Sequence, residues 1–188
     1  MPAPESTRDS RPALGHVLRA IVRTTLATTP PYVAAAFTSA ARRRLEKSNM
    51  AAGPIGAELF AKIPITGLSI PTPELHDTLK QARALYGAGM GLSSLGVLTD
   101  IVRATIGARW EENGEMDNSL AAIDLDITQA IQSSKEEMDS GRITDLPAAR
   151  TTVARLHAGL IDSSADAKTW GCDPPFEQAT ISVEYWKL

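Results

Sequence analysis

The stretch YGAGMGLSSLG, residues 86–96, has the composition of a loop that cradles phosphate groups. Gly91 and Gly96 have the separation of the outer glycines in a Walker A loop. Val97 and Leu98, however, stand where that loop needs Lys and Ser or Thr. A dinucleotide loop needs a third glycine, and both loops follow a strand, whereas a helix is expected here. The glycines therefore predict a break between two helices and no nucleotide site. The second helix has two candidate N-caps, Ser93 and Ser94.

Potential metal ligands are few and widely spaced. His16, His76 and His157 lie far apart, and none has a second His or Cys at the spacing of a zinc site. Asp124 and Asp126, in the sequence IDLDI, suggest an Asp-rich magnesium site. Residues two positions apart on a helix point about 200° away from each other, so these carboxylates cannot share an ion. They are predicted to be solvated flanks of a helix, and the chain is predicted to hold no metal and no cofactor.

Cys172 is the single cysteine, and no recognisable nucleophile motif surrounds it. It lies in the turn sequence WGCDPP, where the neighbouring acid is expected to raise the pKa of the thiol. We therefore interpret it as a packed or exposed thiol. A chain with one cysteine cannot form an internal disulfide, which is typical of a reducing compartment.

Three residues are candidate acid–base groups if the protein is an enzyme: His157, His76 and Asp100. Histidines at the edge of an apolar helix face usually bond a carbonyl or a carboxylate, and that structural role is the preferred interpretation. Asp100 is otherwise expected to form a surface ion pair with Arg103, three positions away. If a pocket lies between the helices, its predicted aromatic walls are Tyr86, Trp110 and Trp170.

Composition favours a single helical core. The chain has 188 residues, enough for one well-buried core but too few for two comfortable domains. Scarce aromatic residues, at 5%, and abundant alanine favour helices packed closely through small side chains. No apolar run approaches the ~20 residues that a membrane-spanning helix needs, so no transmembrane segment is predicted.

Charge is unevenly distributed along the chain. Residues 1–110 carry 13 Lys or Arg and 7 Asp or Glu, a net charge of +6, whereas residues 111–188 carry 6 and 15, a net charge of −9. Either two halves of one fold attract each other, or a basic arm meets an acidic partner or a membrane surface. Six arginines and no acid lie between Ser10 and Leu45, a composition that resembles an organelle transit peptide. A cytoplasmic location is predicted, with an organelle as the alternative.

Hydrophobic periodicity predicts amphipathic helices over residues 13–27, 119–140 and 145–168. The apolar face of the first helix is interpreted as core packing, with a membrane surface as the alternative. Thr29 and Thr72 each precede a proline, and each is predicted to be the N-cap of a further helix.

Two segments are predicted to be irregular. Residues 50–73 read as an apolar loop rich in Pro and Gly, with a short helix over 55–62. Residues 170–188 read as an extended arm, in which 179–186 alternate between apolar and polar side chains like a strand. The partner of that strand is predicted to be residues 65–70 or the same arm of a second subunit.

The predicted fold is all-α: a single domain over residues 1–188, built as a bundle of about five or six helices. An N-terminal arm over 1–12, the loop over 50–73 and the strand-like arm over 170–188 complete it.

Two functions remain compatible with this sequence. The first is a non-catalytic helical interaction or assembly protein that forms homo-oligomers or meets an acidic partner through its Arg-rich segment. The alternative is a small cofactor-independent enzyme or binding protein, isomerase-like or cyclase-like, which takes an apolar metabolite between its helices. A cavity of ~300 Å³ or more with His76 or His157 at its wall favours the second, and a solid core with a self-complementary patch favours the first. Nucleic acid is not predicted, because no aromatic interleaves the basic stretch at 41–47.

Overall fold

The computed structural model describes residues 11–51 and 58–186. The chain divides into two compact units, Met1–Arg43 and Arg44–Leu188. The described ranges contain seven helices and one two-stranded sheet, so the predicted all-α class is confirmed, with one more helix than the upper predicted number. The single domain over 1–188 stays a prediction, and most of the predicted arm over 1–12 lies outside the described residues.

The first unit is built on helix α1, Arg11–Thr28, which is followed by α2, Pro31–Ala51. The helix predicted over 13–27 is confirmed. Within the first unit Val17, Leu18 and Ile21 are 55%, 60% and 56% exposed, and the core packing of this apolar face stays a prediction. The periodicity that makes a helix amphipathic does not say what its apolar face contacts.

A β-hairpin occupies part of the predicted loop over 50–73. Strand β1, Phe60–Lys62, pairs antiparallel with β2, Ser69–Pro71. The short helix predicted over 55–62 is therefore wrong at residues 60–62, and residues 55–57 lie outside the described ranges. The physical reason is the turn between the strands, where Gly67 adopts φ +71°.

The glycine-rich stretch separates two helices, as predicted. Helix α3, Pro73–Gly87, begins at Thr72, whose hydroxyl accepts a hydrogen bond from the backbone N–H of Leu75 at 3.3 Å. Helix α4, Gly91–Ala104, follows after Gly89, whose φ of +72° favours glycine. The predicted serine caps are wrong, because the N-cap position is Met90 and makes no side-chain cap bond.

Ser94 and Gly91 instead serve packing between helices. The Ser94 hydroxyl is buried and donates to the carbonyl oxygen of Ala82 on α3 at 2.9 Å. A Cβ atom added at Gly91 would overlap the backbone nitrogen of Ser134 on helix α5, Glu115–Asp139. Glycine is therefore required here because α4 and α5 approach backbone to backbone.

Three further helices complete the second unit: α5, Glu115–Asp139, α6, Leu146–Thr169, and α7, Glu177–Glu184. Helix α4 packs on α3, α5 and α6, and α5 also packs on α3 and α7. Each fully buried hydrophobic side chain contributes about 1.5–3 kcal/mol relative to exposure. The largest such side chains are Phe176, Leu75, Leu85, Leu95, Leu98, Ile101, Leu120, Ile123, Ile127, Ile131, Leu156 and Leu160.

The strand-like interpretation of residues 179–186 is wrong, because residues 177–184 form helix α7. Its N-terminus is capped from another helix: the Asp124 carboxylate accepts the N–H groups of Gln178 at 3.2 Å and Ala179 at 2.8 Å. Ala179 and Val183, four positions apart, are both buried. Residues 65–70 are not its partner either, since β2 pairs with β1.

Candidate binding cleft

A cleft of about 390 Å³ lies where the segment after α4, the start of α5 and the segment after α6 meet. We call it the indole cleft because two tryptophans line it. Its lining residues are Trp110, Glu112, Asp117, Leu120, Ala121, Trp170, Gly171, Cys172, Asp173, Pro174 and Pro175. A volume above ~300 Å³ is typical of sites that bury a small ligand or a projecting side chain.

The two tryptophans are held in a fixed mutual orientation. Their ring centroids are 4.8 Å apart, and their planes meet at 87°, an edge-to-face pair. Trp110 is 5% exposed, whereas Trp170 is half-buried at the C-cap of α6. Gly171, with φ +83°, turns the chain there and leads into the proline-rich segment that borders the cleft.

An ion pair supports the outer tryptophan. The Arg109 guanidinium lies 5.1 Å from the centroid of the Trp170 ring, a cation–π contact. Arg109 also donates to the Asp166 carboxylate at 2.8 Å, and Asp166 accepts the backbone N–H of Gly107 at 3.0 Å. These two donors lower the pKa of Asp166. The pair fixes the loop after α4 to α6 and thereby fixes both rings.

The charged groups that line the cleft are all carboxylates: Glu112, Asp117 and Asp173. Among the described residues, no Lys, Arg or His lines the cleft, and none of these three acids forms an ion pair. Asp117 accepts one hydrogen bond, from the backbone N–H of Asn113 at 3.0 Å. The cleft therefore presents negative charge without an internal counter-charge.

The thiol of Cys172 is also part of the cleft wall. Burial, first, and then the charges of Asp117, Asp173 and Glu112 raise its pKa. Both effects disfavour the thiolate, which is the nucleophilic form of cysteine. The interpretation of this thiol as a poor nucleophile therefore agrees with its surroundings.

The indole nitrogens do not face the open space of the cleft. Nε1 of Trp110 and Nε1 of Trp170 are buried, and neither has a hydrogen-bond partner among the described residues. The half-buried Trp170 therefore offers ring surface rather than an N–H donor to an occupant, and Trp110, which is 5% exposed, offers little surface of either kind. Together with the carboxylates, this makes the cleft rich in negative charge and in π-electron density.

The candidate acid–base residues do not converge. His76 is exposed, and its Nδ1 lies 3.0 Å from the carbonyl oxygen of Thr72. His157 is half-buried, and its Nε2 has no partner within the described ranges. Asp100 pairs with Arg155 on α6 at 3.8 Å, so the predicted ion pair with Arg103 is wrong. None of the three candidates lines the indole cleft.

Tyr86, the third predicted aromatic wall, belongs to a different cluster. Its hydroxyl donates to Asp126 at 3.0 Å, and Arg83 contacts the same carboxylate at 2.7 Å. Burial and the carboxylate raise the pKa of Tyr86, and the hydrogen bond to Asp126 raises the pKa of Arg83. The cluster links α3 to α5 and is a structural contact.

The prediction that Asp124 and Asp126 are solvated is wrong. Asp124 and Asp126 are 8% and 6% exposed, and donors on another helix satisfy each buried carboxylate. Asp126 accepts from Arg83 and Tyr86 on α3, and Asp124 accepts from the backbone at the start of α7. Arg83 and Tyr86, three positions apart on α3, share a face of that helix, which is the one sequence signal for the cluster.

In the described part of the chain, no group of three or more His, Cys, Asp or Glu side chains is arranged to hold a metal ion. No helix there is long and apolar enough to cross a membrane. Comparison with protein-family models, with curated proteins and with solved structures finds no match to this chain.

Proposed function

We propose that the chain is a non-catalytic interaction protein that receives a small ligand or a projecting side chain of a partner in the indole cleft. The observation that carries this proposal is a preformed cleft of about 390 Å³ whose acids have no internal ion pair. Carboxylates without an ion-pair partner in the chain can pair with a bound ligand, whereas carboxylates that already pair with Lys or Arg cannot do so as easily.

The lining of the cleft supports binding rather than catalysis. The enzyme alternative requires His76 or His157 at the wall of a pocket, and neither lines the indole cleft. His76 lines a separate groove of about 570 Å³ between α3 and the start of α5, so the enzyme alternative keeps a candidate pocket of its own. A raised pKa keeps the Cys172 thiol protonated and a weak nucleophile. The site thus offers shape, π-surface and charge, which are the elements of recognition.

The test is a titration of the full chain with three small probes: choline, its neutral carbon isostere dimethylbutanol, and acetate. Heteronuclear NMR follows the indole N–H signals of the three tryptophans, assigned by Trp→Phe substitution. Binding of any probe at Trp110 and Trp170 supports the proposal. No change at these two signals with any of the three probes contradicts it.

A matched pair of variants locates the binding. Ala121 lines the cleft, so Ala121→Phe fills the space without removing a contact. Ala154→Phe makes the same change at an exposed position of α6 outside the cleft. We expect Ala121→Phe to abolish the shifts of Trp110 and Trp170, and Ala154→Phe to preserve them.

Self-association through α1 is a second candidate function. Val17, Leu18 and Ile21 form an apolar face that is more than half exposed, and every copy of the chain presents the same face. Two such faces bury each other in an isologous contact. Native mass spectrometry tests this: Val17→Ser with Ile21→Ser is expected to lower the dimer fraction, and Ile65→Ser, at a position 95% exposed, is not.

A monomer at every concentration contradicts self-association. Sedimentation with anionic vesicles or mixing with an acidic polypeptide then distinguishes the other occupants of the same face. Binding to either of these would assign the Arg-rich segment to that partner.

A further inference from the structure

We propose that the indole cleft selects a cation with an apolar body, an alkylammonium group of the quaternary type. The inference rests on the proposed binding function and names the chemical class that the cleft recognises. It follows from charge, ring geometry and the apolar part of the lining, which are independent features of the site.

The negative charge of the lining residues disfavours an anionic occupant. Glu112, Asp117 and Asp173 surround the cleft with up to three negative charges. Residues 111–188 as a whole carry a net charge of −9, so distant groups reinforce the local sign. An anion placed here would meet repulsion, and a cation would meet the counter-charge that the fold itself does not supply.

The tryptophan geometry favours a cation over a neutral ligand. Because both indole nitrogens are enclosed, the exposed part of the half-buried Trp170 is ring carbon, and the π-face of an indole attracts a cation within ~6 Å. Trp170 already makes this contact with Arg109 at 5.1 Å, so its ring accepts a cation in this fold. The Arg109 charge is offset by Asp166, 2.8 Å away, and does not cancel the negative potential of the cleft.

The remaining lining favours alkylated nitrogen over a bare ammonium or a metal ion. Leu120, Ala121, Pro174 and Pro175 offer apolar contacts to methyl groups. A primary ammonium that enters the cleft loses its hydrogen bonds to water and needs new acceptors for its N–H groups. A quaternary ammonium has no N–H group to satisfy. Sodium and potassium ions gain nothing from these apolar walls, so their affinity should be much lower.

The decisive experiment compares choline with dimethylbutanol, which differs from it by carbon in place of the charged nitrogen. The same NMR titration of the full chain measures both dissociation constants in a buffer of constant NaCl concentration. We expect choline to bind at least about tenfold more tightly than dimethylbutanol, because only choline gains the Coulombic and cation–π terms.

Trp186 is an internal control in the same spectra. Its ring lies 5.8 Å from the Lys135 ammonium, so it is a cation–π surface outside the cleft. Choline should shift the signals of Trp110 and Trp170 and leave that of Trp186 in place. Equal shifts at all three tryptophans would show general contact of choline with indole and would overturn the inference.

Removing negative charge from the lining of the cleft separates the electrostatic contribution to binding from the contribution of shape. Asp117→Asn with Asp173→Asn should weaken choline binding by about fivefold or more and leave dimethylbutanol binding unchanged. If choline and dimethylbutanol bind equally, or if acetate binds more tightly than choline, the inference fails while the binding function stands. If no probe shifts Trp110 and Trp170, both fail together.

Discussion

Two acidic regions border helix α5, and they differ in what their carboxylates contact. On one side Asp124 and Asp126 are buried, and each accepts hydrogen bonds from another helix. On the other side Glu112 and Asp117 line the indole cleft without an ion pair in the described ranges. The first region is part of what holds the fold together, and the second is open to an occupant.

The difference shows that a carboxylate's role depends on the donors that tertiary structure brings to it. A buried charge without a partner is strongly destabilising, so Asp124 and Asp126 must be satisfied by the chain itself. An acid on the rim of a cleft keeps its water and needs no partner. Substitutions in the buried region should therefore change stability, and substitutions in the cleft should change binding.

The largest effect on stability is expected for Asp126→Ala. The substitution removes the acceptor of Tyr86 and Arg83, and we expect a loss of about 2–3 kcal/mol in the free energy of unfolding. Asp77→Ala is the control, because its ion pair with Lys80 is largely exposed and is expected to contribute little to stability. Urea unfolding at neutral pH measures both losses, and equal losses would contradict the assignment.

A smaller and more local loss is expected for Asp124→Ala, about 1–2 kcal/mol. The carboxylate caps α7 at Gln178 and Ala179, so the amide hydrogens of α7 should exchange faster than those of α4. Asp124→Asn should cost less, because its amide oxygen still accepts one of the two bonds. Unchanged exchange in α7 after Asp124→Ala would show that the cap does not hold this helix.

The pH dependence of stability should carry a contribution from Asp124. Burial, the largest cause, raises the pKa of this carboxyl above the value of about 3.9 that it has in an unfolded chain. Between the two pKa values the folded state binds more protons, so the contribution of Asp124 to stability falls as pH rises through that window. Asp124→Asn should remove this slope. A contribution of opposite sign would show that the backbone N–H donors outweigh burial.

The smallest expected effect concerns the reactivity of Cys172 in the cleft. The acids near the thiol raise its pKa, so Glu112→Gln with Asp117→Asn should increase the thiolate fraction. The rate of alkylation by iodoacetamide at neutral pH is expected to rise roughly twofold to fivefold. Arg142→Gln, a charge change outside the cleft, is the control. An alkylation rate that is the same with and without the Glu112→Gln and Asp117→Asn substitutions would contradict the electrostatic effect of these acids on Cys172.

The helices that the sequence predicts correctly are those with strong local signals. Apolar periodicity marks α1, α5 and α6, and the Thr72–Pro73 pair marks the start of α3. The glycines of residues 86–96 mark the break before α4. All of these signals lie within one or two turns of the element they specify.

The features that sequence reasoning missed depend on residues far apart in the chain. Helix α7 is capped by Asp124, 55 positions before Ala179, and no local pattern reveals that donor–acceptor pair. The sequence predicts Trp110 and Trp170 as aromatic walls, but their edge-to-face contact depends on how the end of α6 lies beside the segment after α4. The acids of the rim carry no sequence signal at all, because exposed and cleft-lining carboxylates have the same local context.

The most direct test of this account is the free energy of unfolding in choline chloride compared with NaCl at equal ionic strength. A ligand that binds only the folded state increases this free energy by RT ln(1 + L/Kd), where L is the free ligand concentration. We predict stabilisation of the native chain and of Ala154→Phe, and none for Ala121→Phe, whose cleft is filled. Equal stabilisation of Ala121→Phe would show that choline acts elsewhere and would contradict the assignment of the indole cleft.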